Sequence, residues 1–175
     1  MPFATEPPRA AVAGSRSLEA SIFYGIPILQ RALAWDGNGE VDQTGLKLRH
    51  LWHTSDHFAL GLGLTTSVFL LGGHDVFAVE GEAVGRYYAW SVDDLSTFLE
   101  FSGGYMQSTD GIPPGGTEWN FTFSFGPGVA VPLERNLDVI TGATFHHISN
   151  ALGRKSPRNP SQNEGQLWLG FSVRL

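Results

Sequence analysis

An all-β fold, a single antiparallel barrel of eight strands, is predicted by three features of the chain. Apolar residues alternate with small or polar ones from about residue 18 onward. No segment shows the 3.6-residue period of an amphipathic helix. Turn-forming residues recur at the spacing of an all-β barrel. The chain has 175 residues, enough for one domain with a sizeable core. The barrel is expected over 17–175, after a flexible arm over 1–16 that is rich in Pro and Ala.

The strands follow in order. The first, 18–28, leads into a long stretch, 29–40, rich in Gly, Asp and Asn. The second, 41–54, meets the third, 57–70, across the tight turn Ser55-Asp56. The third shows the cleanest alternation: Phe58, Leu60, Leu62, Leu64, Thr66 and Val68 on one face, Ala59, Gly61, Gly63, Thr65 and Ser67 on the other. The link at Gly72-Gly73-His74 is short where a long one is due. The fourth strand, 75–90, and the fifth, 95–107, join at Val92-Asp93-Asp94, and a long Gly- and Pro-rich loop, 108–116, follows. The sixth, 117–132, sets Trp119, Phe121, Phe123 and Phe125 against Asn120, Thr122, Ser124 and Gly126. The turn Glu134-Arg135-Asn136 starts the seventh, 136–149, and the loop 150–163 precedes the last, 164–175. There Leu167, Leu169, Phe171, Val173 and Leu175 share a face, with Gln166, Trp168, Gly170, Ser172 and Arg174 on the other.

The second face decides the environment. It carries Gly, Ala, Ser, Thr and Asn with few charges, a poor coat against water but a good filling for a narrow barrel. Charged residues are 16% of the chain, below the roughly 25% of an average soluble domain. An apolar outside around a small, polar inside is the outer-membrane arrangement, and strands of ten or more residues suit a tilted span. A cell outer-membrane location is therefore expected, with a soluble lipocalin-like carrier as the alternative. Short turns belong at the periplasmic end and longer loops outside. Trp35, Trp52, Trp90 and Trp119 fall near strand ends, where interfacial aromatics belong. The N-terminus lacks the basic start and apolar core of a recognisable signal peptide.

Composition narrows the function further. There is no Cys, so disulfides and thiolate metal sites are excluded, and the six His show no metal-ligand spacing. The net charge is −6 with no basic run, which argues against a nucleic-acid partner. No apolar run of about 18 residues is present, so no transmembrane helix is expected. Glu100 and Arg174 both have inward parity and are candidates to pair in the lumen.

Chemistry concentrates at the outer end of the seventh strand, in Phe145-His146-His147-Ile148-Ser149-Asn150. Residues two apart in a strand share a face, so His147 and Ser149 sit side by side as a base and a hydroxyl nucleophile. Their parity matches Leu137, Val139, Ala143 and Phe145, the lipid-facing set. A polar pair facing lipid is costly and points to function on a lipid substrate. His146 has the opposite parity. A polar residue returning on the last strand would orient the base. Parity counted back from Leu175 puts Asn163 outward and Glu164 inward, and a bulge would reverse that assignment.

The segments His147-Ile148-Ser149-Asn150-Ala151, Asn159-Pro160-Ser161-Gln162-Asn163 and Leu167-Trp168-Leu169-Gly170-Phe171 together resemble the lipid A 3-O-deacylases, the PagL-like family. That family's hallmark is His-x-Ser-Asn-Ala, then a loop with Asn-Pro or Asn-Asp, then a final apolar strand. The close match covers about the last thirty residues. The resemblance implies an esterase that removes the 3-O-linked hydroxyacyl chain from lipid A of lipopolysaccharide, with outer-membrane lipid around it and no metal or cofactor. It implies Ser149 as nucleophile, His147 as general base, and Asn150 in the oxyanion hole. Two departures stand out. The family's oxyanion-hole glycine falls at Leu152, with Gly153 one place later, and the glutamate of the triad falls at Asn163, with Glu164 one place later. Asparagine can orient an imidazole but brings no charge to stabilise the imidazolium. A homodimer is compatible with the sequence. The competing function is a non-enzymatic outer-membrane barrel with partner-binding loops.

Overall fold

The computed structural model describes residues 10–28, 31–32, 35–36, 40–92, 94–152 and 156–175, with the backbone alone for 31–32, 35–36 and Val92. Eight long antiparallel strands close into a barrel: β1 (Arg16–Pro27), β4 (Asp42–Ser55), β5 (Phe58–Leu70), β6 (Val76–Val92), β7 (Leu95–Ile112), β8 (Thr117–Glu134), β9 (Leu137–Ser149) and β10 (Gln162–Arg174). Each pairs with its sequence neighbour, and β1 pairs with both β4 and β10 to complete the ring. Closure leaves no sheet edge unpaired, which is what a strand protein in hydrocarbon requires. The first long connection also holds a two-stranded ribbon, β2 (Arg31–Ala32) with β3 (Trp35–Asp36), which alternation did not foretell.

Several expected boundaries shift. β7 extends to Ile112, so the loop expected over 108–116 shrinks to four residues. β10 begins at Gln162 rather than 164. Within the expected flexible arm, Ala10 and Ala11 pack at the turn-bearing end of the barrel, while Val12, Ala13 and Gly14 stay exposed. There Ala11 is buried among Leu51, Tyr88, Phe98 and Trp168, and the Gly14 N–H donates to the His53 carbonyl at 2.8 Å. Residues 1–9 lie outside the described residues.

Burial follows the alternation. Leu18, Ile22, Ile26, Leu60, Leu62, Leu64, Phe101, Phe121, Phe125, Leu167, Leu169 and Phe171 are exposed on the outside, while Ser, Thr, Gln, Glu and Arg fill the lumen. A soluble carrier would reverse this arrangement, so that reading is set aside. The apolar belt around a polar core makes the chain a membrane-spanning barrel of the outer-membrane type. The rings of Trp168 and Phe98 lie in the lumen only because Gly142 and Gly128 face them. A Cβ on either glycine would come within 2.4 Å of the ring.

The lumen is a packed core with apolar residues at both ends. Val41, Phe69, Met106, Ile112 and Ile148 cluster at the loop end, and the Leu51–Phe98–Trp168 cluster closes the turn end. Between them, Arg86 donates to Glu19 at 2.7 Å and to Glu100 at 2.6 Å, and Arg49 donates to Glu82 at 2.8 Å and to Glu100 at 2.7 Å. This corrects the expected Glu100–Arg174 pair. Arg174 lies at the turn end, 3.6 Å from Asp138. Parity fixes which residues point inward, whereas the shear of the barrel fixes which of them meet.

Candidate active site

The site sits at the outer ends of β9 and β10. Their ladder runs unbroken from Gln162↔Ile148 to Val173↔Leu137, with Asn163 opposite His147 and Glu164 opposite His146. No bulge intervenes. The His147 Nδ1–H donates to Asn163 Oδ1 at 2.7 Å, and this hydrogen bond assigns the basic lone pair to Nε2. Glu164 turns into the lumen, where Oε2 lies 3.2 Å from His146 Nδ1 and accepts from Gln166 at 3.1 Å, while Oε1 accepts from Gln162. The expected alternative triad member is therefore on the wrong side of the sheet wall.

His147 and Asn163 are both buried although they face outward. The Phe123 ring lies against the imidazole, centroids 5.1 Å apart. Ser149, half-buried on the same side, donates from Oγ to Asn159 Oδ1 at 3.1 Å, and the Asn150 N–H donates to the same oxygen at 3.1 Å. Ala151 takes a φ of +59°, the left-handed region, and its N–H lies 3.3 Å from Ser149 Oγ.

The two expected oxyanion donors are occupied inside this turn. Asn150 Nδ2 donates to Thr117 Oγ1 at 2.9 Å and to the Arg158 carbonyl at 2.5 Å. The Leu152 N–H donates to Asn150 Oδ1 at 3.1 Å. Gly153 lies outside the described residues. Thr117, Arg158 and Asn159 are thus structural partners of the turn that parity could not nominate. The signal nearest to them was Asn159-Pro160, since an asparagine before proline marks a turn whose side chain bonds back to the main chain. Among the described residues no group of His, Asp and Glu has the arrangement of a metal site.

One residue row nearer the membrane centre, the outer wall carries an apolar trough of about 660 Å³. Ile26, Ile28, Phe125, Phe145 and Leu167 rim it, and Ala143 and Gly165 form the low ground between them. A Cβ at Gly165 would stand 3.1 Å from the Ile28 side chain, so glycine there keeps the trough open. Trp52, Trp90 and Trp119 lie near strand ends with part of each ring accessible, in keeping with an interfacial role, whereas the Trp35 side chain lies outside the described residues.

No protein-family model matches the sequence, and no curated protein matches it. Solved structures do. The outer membrane protein OprG from Pseudomonas aeruginosa is 13% identical, with a TM-score of 0.56, over 95% of this chain and 98% of that one. Neisserial surface protein A is 12% identical, with a TM-score of 0.64, over 91% and 95%. The outer membrane enzyme PagL is 18% identical, with a TM-score of 0.61, over 89% and 98%. The fold is that of the eight-stranded outer-membrane barrels. At these identities the likeness reaches no further than the fold.

Proposed function

We propose that the chain is an outer-membrane ester hydrolase that removes the 3-O-linked hydroxyacyl chain from lipid A of lipopolysaccharide. The observation that carries this reading is the His147–Asn163 hydrogen bond on the lipid side of the barrel, two residues before Ser149. It leaves Nε2 as the basic nitrogen on the face that Ser149 shares. The trough beside it is lined as an acyl chain requires.

In the proposed reaction Nε2 takes the Ser149 proton as Oγ adds to the ester carbonyl carbon. The tetrahedral intermediate collapses, the sugar hydroxyl leaves with the proton from the imidazolium, and an acyl-serine remains. Water, deprotonated by the same nitrogen, then releases the 3-hydroxy fatty acid. The Ser149 hydroxyl must first turn from Asn159 toward His147. Asn150 and the Leu152 N–H must exchange their bonds within the turn for bonds to the oxyanion. Neutral Asn163 orients the ring without stabilising its charged form, so the proposed enzyme is slow by comparison with one that has a carboxylate there.

The uncharged orienter also favours a second reading, a non-enzymatic barrel whose external loops bind a partner. Release of 3-hydroxy fatty acid from lipopolysaccharide by the purified protein in detergent separates the two. Release that disappears in Ser149→Ala supports the hydrolase, and no release from a folded barrel supports the second reading.

A further inference from the structure

Beside the catalytic turn, at the external rim, the structure holds a cleft that no step above uses. It lies between the β7–β8 connection and the turn around Arg158, and its volume is about 500 Å³, within the roughly 300–1,000 Å³ of small-molecule sites. The trough on the barrel wall has an apolar lining, whereas this cleft gathers Asp110, Glu118, Arg158 and Trp119. β7 and β8 are 18 residues each, against 13 for β5, β9 and β10. About ten residues cross the hydrocarbon, so the tips of β7 and β8 carry this cleft beyond it into the headgroup layer.

We propose that this cleft is a saccharide subsite and that it holds a sugar ring of the same amphiphile whose acyl chain lies in the trough. The proposal rests on the hydrolase reading for the identity of that amphiphile and stands on its own for the chemistry of the cleft. A sugar ring offers hydroxyls on its edge and apolar C–H groups on its face. Two carboxylates accept hydroxyl hydrogen bonds, a guanidinium donates to ring and hydroxyl oxygens, and an indole offers a flat apolar face. Those are the four side chains gathered here. Phosphate alone is disfavoured by the two carboxylates, and a bare acyl chain by the polar lining.

The position gives the subsite a consequence. Thr117 and Arg158 line the cleft, and both bond Asn150, through Thr117 Oγ1 at 2.9 Å and the Arg158 carbonyl at 2.5 Å. A sugar seated in the cleft therefore bears on the two groups that hold the turn carrying Ser149 and its oxyanion donors. Headgroup and reacting ester would be aligned by one rigid rim.

The test is a calorimetric titration of the full-length protein in detergent micelles with alkali-deacylated lipopolysaccharide, a water-soluble saccharide with no ester left to cleave. Saturable one-to-one binding is expected, weakened at least about tenfold by Trp119→Leu and by Arg158→Gln, with barrel folding checked by heat-modifiable gel mobility. No binding by the wild-type protein, or equal binding by both folded variants, would overturn the subsite. Because the probe contains no ester, the titration decides the subsite even if the protein hydrolyses nothing. A failed titration leaves the fatty-acid release assay to judge the hydrolase by itself.

Discussion

His147 and Asn163 face each other across the β9–β10 ladder, Nδ1 to Oδ1 at 2.7 Å, and one step along the same ladder His146 and Glu164 repeat the pairing on the lumen side at 3.2 Å. The carboxyl group that could serve an imidazolium is thus present in the chain but on the opposite face of the sheet. Strand geometry makes this absolute, because adjacent residues point to opposite sides and no rotamer crosses the wall.

Restoring the charge on the outer face should therefore help. Asn163→Glu is expected to raise ester hydrolysis by about tenfold or more, since a carboxylate beside the ring stabilises the cation formed during attack. Glu164→Gln is expected to change the rate by less than about twofold, because its contacts are with His146, Gln162 and Gln166 in the lumen. Initial rates of fatty-acid release measure both. Inactivity of Glu164→Gln with full activity of Asn163→Ala would place the acid function on Glu164 and require a different ladder.

Ser149→Ala and His147→Ala are each expected to lower the rate by about 10²-fold or more while the barrel still refolds in micelles. Both lie at a strand end, outside the two apolar clusters of the lumen. Hydrolysis at the wild-type rate by either folded variant would remove that residue from the mechanism.

The lumen sets the stability. Arg86 is fully buried between Glu19 and Glu100, and its loss takes the guanidinium away from Glu19 and leaves Glu100 to Arg49. Arg86→Ala is expected to destabilise the barrel by about 3–5 kcal/mol. Arg174 is partly exposed and stands 3.6 Å from Asp138, so Arg174→Ala should cost less than about 1 kcal/mol. Reversible urea unfolding in lipid vesicles would check the contrast, and equal effects would mean that the mid-barrel network is not what holds the wall together.

The membrane belt gives a further test. Leu64 lies on the exposed apolar face of β5, with Thr65 buried behind it. Leu64→Arg is expected to destabilise the barrel in a bilayer by about 2–4 kcal/mol, the cost of a cation near the midplane. In a water-soluble barrel the same change at an exposed site would be nearly neutral, and such neutrality would contradict the membrane assignment.

Much of this was legible in the sequence, for a physical reason. A strand has a period of two, so Leu60, Leu62 and Leu64 declare one face and Gly61, Gly63 and Thr65 the other without any knowledge of partners. The same count from Leu175 placed Asn163 outward and Glu164 inward. Alternation says nothing about which lumen side chains meet, because that depends on shear. Parity alone therefore offers Arg174 as a candidate for Glu100, whose partners are Arg49 and Arg86. It also cannot describe non-repeating backbone. The turn after Ser149 depends on a left-handed Ala151 and on Asn159 returning from eight residues further along, and neither follows a period. Packing of Ala11 into the barrel mouth was hidden for the same reason, since one small residue in a Pro- and Ala-rich arm carries no pattern.

The most direct measurement is mass spectrometry of lipid A from outer membranes of cells that express the wild-type protein or the Ser149→Ala variant at equal, folded levels. The wild-type sample should contain a species lighter by one 3-hydroxyacyl chain, together with the free 3-hydroxy fatty acid, and the variant sample should contain neither. Identical lipid A in both samples would contradict the proposed hydrolase and leave a barrel whose function lies in its external loops.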